Sequence, residues 1–211
     1  MSAPVRIGIV DYGMGNRRSV EKAFEHVGAR PVVSSDHATL RATDGLVVPG
    51  VGAFRSAMDN LRERELDRLV AERLEAGVPV LGICLGMQLL MDRSSELGGA
   101  EGLGLMAGEV RELPARGLKL PHIGWNLVTW QRESALTAGL PPAAAFYHVH
   151  TFAADPADPA DVLGTGDYGA PFVSAVERDP LFGVQFHPEK SSTHGLALLA
   201  NFSTICSRVA A

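Results

Sequence analysis

The 211-residue sequence predicts an α/β fold: a doubly wound, mostly parallel sheet with flanking helices and an antiparallel β extension. Three observations carry that expectation. Short, continuously apolar runs recur through the first half, as strands buried on both faces require. Amphipathic stretches of helical period separate them, giving the β-α-β-α order of a parallel sheet. From about residue 104 the pattern changes to short β-like segments joined by turn residues.

The apolar runs are VRIGIV (5–10), PVV (31–33), GLVV (45–48) and VPVLGI (78–83), each of strand length and each ending near Gly, Pro or Asp. Val20, Ala23, Phe24 and Val27 repeat at i, i+3, i+4 and i+7, and Gly28 stands where a helix-ending left-handed residue belongs. Leu66, Leu69, Val70 and Leu74 form a second helical stripe, stopped by Gly77. The second half holds GEVREL, KLPHIGWNLVTW, AFYHVHTF, PFVSAV and LFGVQF, with turn chemistry at Arg178-Asp179-Pro180 and a helix expected over about 194–208. ADPADPAD (154–161) has no apolar face and is expected to be a solvated surface loop. The length suits one domain over residues 1–211, able to bury a core without disulfides or metal.

Composition narrows the partners. The net charge is −5, and the 19 basic residues are scattered among 24 acidic ones, so no basic stripe is present to neutralise a nucleic-acid backbone. No apolar run approaches the ~18 residues of a membrane span, and the first residues do not read as a secretory leader. Cys84 and Cys206 lie far apart and suggest no disulfide framework, so a cytoplasmic, reducing setting is expected.

Chemistry is concentrated in three motifs. In GICLGMQLL (82–90) Cys84 falls between a buried strand and a helical segment read as LGMQLLMD, with glycines two residues to either side. This is the thiol counterpart of a Gly-x-Ser-x-Gly nucleophile elbow. Glycines keep side chains away from the strained central residue, and a following helix N-terminus lowers a thiol pKa. Alone, such a cysteine is more often a small buried apolar residue. In GVQFHPEK (183–190) an extended backbone would place His187 and Glu189 on one side, where the carboxylate could orient an imidazole toward the thiol. In VVPGVGAF (47–54) a Gly-rich turn at a strand's carboxyl end offers the N–H groups of Val51 and Gly52, which with that of Leu85 could hold a tetrahedral oxyanion.

PGVGAF, GICLGMQLL and QFHPEKS, in this order and spacing, resemble the class I glutamine amidotransferases, whose flavodoxin-like domain hydrolyses the glutamine side-chain amide. DYGMGN (11–16), LPHIGWN (120–126) and HPEKSS resemble more narrowly the glutaminase subunits of imidazole glycerol phosphate synthases, over essentially the whole chain. The resemblance implies Cys84 as nucleophile of a glutamyl thioester, His187 as base and then acid, and Glu189 as its orienting partner. It implies Gly50, Gln88, Glu96, His150, Thr151 and Phe152 around the substrate, Phe152 standing where the family has a tyrosine. It further implies a heterodimer with a (β/α)8 cyclase subunit, which receives the ammonia and forms imidazole glycerol phosphate and an aminoimidazole carboxamide ribotide in histidine biosynthesis. Asn16, Pro121, His122 and Trp125 would border that partner, with packing in a turn and a loop as the alternative for the same residues. Arg17 replaces the leucine usual in GNLRSV. The family also suggests a PGVG turn that presents a carbonyl to the oxyanion until the partner binds, with glycines making the peptide flip cheap.

Other features carry less. His148 and His150 are spaced to share a strand face but lack a third metal ligand nearby, and no metal is expected. Cys206 has no glycine elbow and reads as core. GMGN is too short for a dinucleotide fingerprint, so no cofactor is implied. A stand-alone cysteine hydrolase, a glutaminase serving another synthase and a silent scaffold on the same fold are the alternative functions.

Overall fold

A computed structural model describes residues 4–209. The chain runs β1 (Arg6–Val10), α1 (Arg17–His26), β2 (Arg30–Ser34), α2 (His37–Arg41), β3 (Gly45–Gly50), α3 (Phe54–Glu63), α4 (Leu66–Glu75), β4 (Val80–Cys84) and α5 (Leu85–Leu89). There follow β5 (Met91–Ser94), β6 (Ala100–Glu101), β7 (Met106–Glu112), β8 (His122–Trp130), β9 (Ala143–His150), β10 (Phe152–Pro156), β11 (Val162–Asp167), β12 (Pro171–Arg178), β13 (Leu181–Val184) and α6 (Ser192–Val209).

Nine strands form one sheet in the order β2-β1-β3-β4-β13-β12-β11-β8-β9. The first five are mutually parallel, and the remaining four continue the sheet antiparallel. The parallel strands β1, β3, β4 and β13 are buried on both faces, which is why their sequences are apolar without alternation, while the edge strand β2 is only half-buried. Ile7, Ile9, Val47, Leu81 and Ile83 face a core shared with Phe24 of α1 and Phe202 of α6. Their neighbours Val10, Leu46, Val48 and Val80 face the opposite core with Phe54 and Leu61 of α3 and Leu69 of α4. Gly28 has φ +83 and Gly77 φ +79, left-handed residues just past α1 and α4 as the sequence predicts. The turn at Arg178-Asp179-Pro180 joins β12 to β13.

Two expectations need correction. LGMQLLMD is not one helix: α5 ends at Leu89, and Met91 opens β5, because the chain there pairs with β7. That strand belongs to a second sheet, ordered β10-β7-β5-β6, which the sequence does not announce. ADPADPAD is not a solvated loop either. Its start is β10, paired with β7, and its end is a short 3₁₀ turn over Pro159–Asp161. Asp161 is buried there because the Arg178 guanidinium pairs with its carboxylate.

Among the described residues no helix is long and apolar enough to cross a membrane. Cys206 is buried in the core against Gly45, as expected, and burial pushes its thiol up to about 12. Phe202 joins α6 to both α1 and β13 through edge contacts with Phe24 and Phe182. Phe202→Ala is expected to cost about 3–5 kcal/mol of folding free energy, read from the midpoint of chemical denaturation.

Candidate active site

Strand β4 and helix α5 meet at Cys84 with no linking residue, which forces Cys84 to φ +56, ψ −111. The flanking glycines make this reversal sterically possible. A Cβ on Gly86 would stand 1.7 Å from the Val48 carbonyl oxygen, and one on Gly82 would stand 2.6 Å from the Gly86 oxygen. The thiol is thereby presented at the carboxyl end of the sheet, on the floor of a cleft of about 300 Å³. That size suits a small polar metabolite.

Strand β13, beside β4, carries the next motif. His187 follows the strand in an extended conformation, but Pro188–Lys190 is a 3₁₀ turn, so the expected extended run through Glu189 does not exist. The turn instead folds the carboxylate back, and His187 Nδ1 donates to Glu189 Oε1 at 2.9 Å. Both side chains are almost fully buried. Burial by itself would lower the His187 pKa, but the facing sulfur and the Glu189 carboxylate outweigh it and raise it to about 10. His187 N–H donates to the Tyr147 carbonyl and its own carbonyl accepts from Ser191 Oγ at 2.6 Å, which fixes the backbone under the ring.

The sulfur's two hydrogen bonds go elsewhere in the resting structure. Cys84 Sγ lies 3.8 Å from the Val149 carbonyl oxygen as donor, and 3.8 Å from Gln185 Nε2 as acceptor. Gln185, completely buried, also accepts from Gln88 Nε2 at 3.0 Å. The second Gln88 amide hydrogen goes to the Phe152 carbonyl at 2.9 Å. Both Gln88 donors are therefore consumed inside the protein, and only its oxygen remains for a ligand.

Val51, Gly52, Leu85, Gln88, Glu96, His150, Thr151, Phe152 and His187 all border the cleft with Cys84. Gly50 and Glu189 stand behind this lining. Gly50, in register with Cys84, is fully buried, and a Cβ on it would meet Leu85 Cβ at 2.9 Å. Among the described residues no backbone hydrogen bond outside the regular elements is donated by Val51 or Gly52. Leu85 is the first residue of α5, whose N–H has no partner within the helix. Glu96 Oε2 accepts from the Phe54 N–H at 2.8 Å, leaving one carboxylate oxygen uncommitted. Phe152 contributes its carbonyl, so the missing phenol hydroxyl is immaterial to that contact.

His150 Nδ1 donates to the same Phe152 carbonyl at 2.9 Å, and its Nε2 accepts from His122 Nδ1 at 3.0 Å. His122 Nε2 accepts from Asn126 at 3.3 Å, and His148 Nε2 accepts from Ser174 at 2.8 Å. Burial lowers all three histidines, His148 to about 3 and His150 to about 4. His122 is thus a buried member of this neutral cluster, because β8 turns its ring inward; the expectation that it borders a partner fails. Trp125 is exposed between exposed Ile123 and Leu127, Pro121 stands exposed at the cleft, and Asn16 is half-buried at the start of α1. Arg17 pairs with Asp11. Among the described residues no group of three His, Cys, Asp or Glu is arranged to hold a metal.

Residues 8–206 match the family of glutamine amidotransferase class-I. The chain belongs to this family. It is similar to the imidazole glycerol phosphate synthase subunit HisH of Moorella thermoacetica, 48% identical over 94% of each chain, and to that of Symbiobacterium thermophilum, 52% identical over 93% of this chain and 92% of the relative. The solved structure of PurLQS from Thermotoga maritima shares the fold with a TM-score of 0.78, covering 96% of this chain and 99% of that one at 18% identity. As a class-I amidotransferase the chain has glutaminase chemistry.

Sequence reasoning missed Val149 and Lys190 at the cleft and Gln185 buried behind it. Gln185 was within reach of it, two residues before His187 in the same motif. Val149 acts through its backbone, which no side-chain motif reports.

The histidine cluster sets a pH dependence. His148 and His150 are held neutral in the fold but have ordinary values when unfolded, so their contribution is present above about pH 6.5 and lost as the pH falls toward 4. His187, shifted the other way, is protonated in both states below pH 6.5 and adds no slope there. Urea midpoints measured from pH 7 to pH 4 are expected to fall, with uptake of about two protons on unfolding.

Proposed function

We propose that this chain is the glutaminase subunit of an imidazole glycerol phosphate synthase, residues 1–211 forming one domain that hydrolyses L-glutamine to L-glutamate and ammonia. The observation that carries the reading is the Cys84 sulfur, held in a strained elbow facing an imidazole whose other nitrogen is fixed by Glu189.

In this reading Sγ attacks the side-chain carboxamide carbon of glutamine while His187 Nε2 holds the thiol proton. The C–S bond forms and the carbonyl π electrons move to oxygen, where the N–H groups of Val51, Gly52 and Leu85 meet the charge; one such donor is worth roughly 2.7–4 kcal/mol. His187 then returns its proton to the departing nitrogen as the C–N bond breaks, leaving a glutamyl thioester and ammonia. Water, deprotonated by His187, opens the thioester. Glu189 keeps the imidazole in one tautomer throughout. Gln185 donates to the sulfur and holds Gln88, whose free oxygen accepts from the substrate, while the uncommitted oxygen of Glu96 pairs its α-ammonium. His150, Thr151 and Phe152 border the substrate largely through their backbone, and Gly50 admits the close approach of the elbow.

Ammonia passes to a (β/α)8 cyclase subunit in the cytoplasm. The exposed apolar row of Ile123, Trp125 and Leu127 on β8 supports a docking face there, with Pro121 between that face and the cleft. Asn16 belongs to the same partner side in this reading.

Cys84→Ala in the assembled complex is expected to abolish synthesis from glutamine and to spare synthesis from added ammonia; glutamine turnover surviving the substitution would remove the nucleophile assignment. Purified alone, the wild-type chain is expected to hydrolyse glutamine far more slowly than with its cyclase and ribotide ligand, and rapid turnover without a partner would contradict partner control of the oxyanion turn. Trp125→Asp is expected to weaken the complex more than about tenfold in a titration followed by calorimetry, as loss of a central aromatic anchor does.

A further inference from the structure

The DYGMGN loop lies directly against the oxyanion turn. Tyr12 is completely buried, and its hydroxyl donates to the Pro49 carbonyl at 2.6 Å. The ladder between β1 and β3 ends at Ile9 and Val47, so past that pair β1 offers the β3 edge no further donor; the phenol takes over that function. Burial pushes the Tyr12 phenol upward, so it keeps its proton as a donor. A Cβ on Gly50 would stand 2.6 Å from the Tyr12 oxygen, so the hydroxyl is seated against the turn's first glycine. Gly15 closes the loop on the same residues: with φ +101, a Cβ on it would come within 3.4 Å of the Pro49 carbonyl carbon and the Gly50 backbone. Met14 Cε lies 2.7 Å from the position a Gly52 Cβ would take.

We propose that Tyr12 is a positioning residue for the oxyanion turn: by holding the Pro49 carbonyl it fixes where β3 ends, and so fixes the approach of the Val51 and Gly52 N–H groups to Cys84. Rotation of the turn is then confined to the peptides beyond Gly50, and Met14 backs Gly52 from below. The inference rests on the active-site reading given under Proposed function.

The test is Tyr12→Phe, which removes one oxygen, assayed for glutamine hydrolysis with the cyclase subunit at saturation. A fall in kcat of about tenfold is expected, smaller than the 10²–10³ of deleting a donor outright, with KM within about twofold and an unchanged rate of Cys84 alkylation by iodoacetamide. Met14→Ala, assayed in parallel, is expected to show the same kcat-only pattern more weakly, and carries the test should Tyr12→Phe fail to fold. Unchanged kcat in the folded variants would overturn the proposal, as would KM and alkylation moving in proportion to kcat, the mark of a merely structural loss. Cys84→Ala, run beside them, separates the two levels: hydrolysis that survives it counts against the active-site reading, whereas hydrolysis lost in it but intact in Tyr12→Phe counts against Tyr12 alone.

Discussion

The positive φ of Cys84 is the constraint on which the site depends. A non-glycine residue in that region costs on the order of 1–3 kcal/mol and persists only when its surroundings over-determine it. Here they do, because β4 is central and bonded on both sides, to β3 and to β13. The Gly86 position lies so close to the Val48 carbonyl that no other residue fits, and α5 is locked against β3 as a result. Both neighbours of β4 then deliver function at the same level. β3 ends beside Cys84 and releases the PGVG turn, while β13 ends one register step away and releases Gln185 and His187. The parallel sheet is the device that brings three separate motifs to one edge.

Charge is distributed by the same architecture. His148 and His150 sit against Phe172 and Phe186, where desolvation dominates and no carboxylate answers. His187 is buried as well, yet it faces a sulfur and a carboxylate and is shifted in the opposite direction. Neutral imidazoles serve as directional links, one nitrogen donating and the other accepting, so the His122–His150 pair fixes the Phe152 carbonyl without placing a second cation near the thiol. The one imidazole able to carry charge at the cleft is thus the one to which the proposed mechanism gives the proton exchange.

Much of the parallel half was legible in the sequence, because continuous apolar runs and helical stripes report burial that the sheet itself creates. Cys84, His187 and Glu189 were legible as residues, though the geometry joining His187 to Glu189 was not: a strand was assumed where Pro188 starts a 3₁₀ turn. The second sheet was legible only in part: GEVREL marks β7 as a strand, but nothing local says that it leaves the main sheet. β5 follows a helix without a turn signal, so only its tertiary pairing with β7 reveals it. Asp161 misled for a related reason, since an acidic, proline-rich repeat reads as solvated until Arg178 is known to reach it. His122 misled because a nine-residue strand has two faces, and the inward one shares its motif with the outward Trp125.

What the cleft offers a ligand follows from subtraction. Gln88 has spent both donors, Glu96 one oxygen, His150 both nitrogens and Glu189 its oxygen on His187. The open groups include a few backbone N–H donors beside the sulfur, one amide oxygen, one carboxylate oxygen and the Lys190 ammonium at the cleft wall. Two acceptors at one end suit an ammonium, and N–H donors at the other suit a carbonyl oxygen gaining charge. An amino acid bearing a side-chain carbonyl meets both demands at once. A ligand with a negative group where the α-ammonium belongs would leave Glu96 unpaired against like charge, a penalty of the kind that separates substrates more sharply than a lost methylene does. In the proposed reading, selectivity for the amino-acid end therefore lies in what the protein has left unsatisfied, and the internal bonds of Gln185 and His150 keep those few groups free.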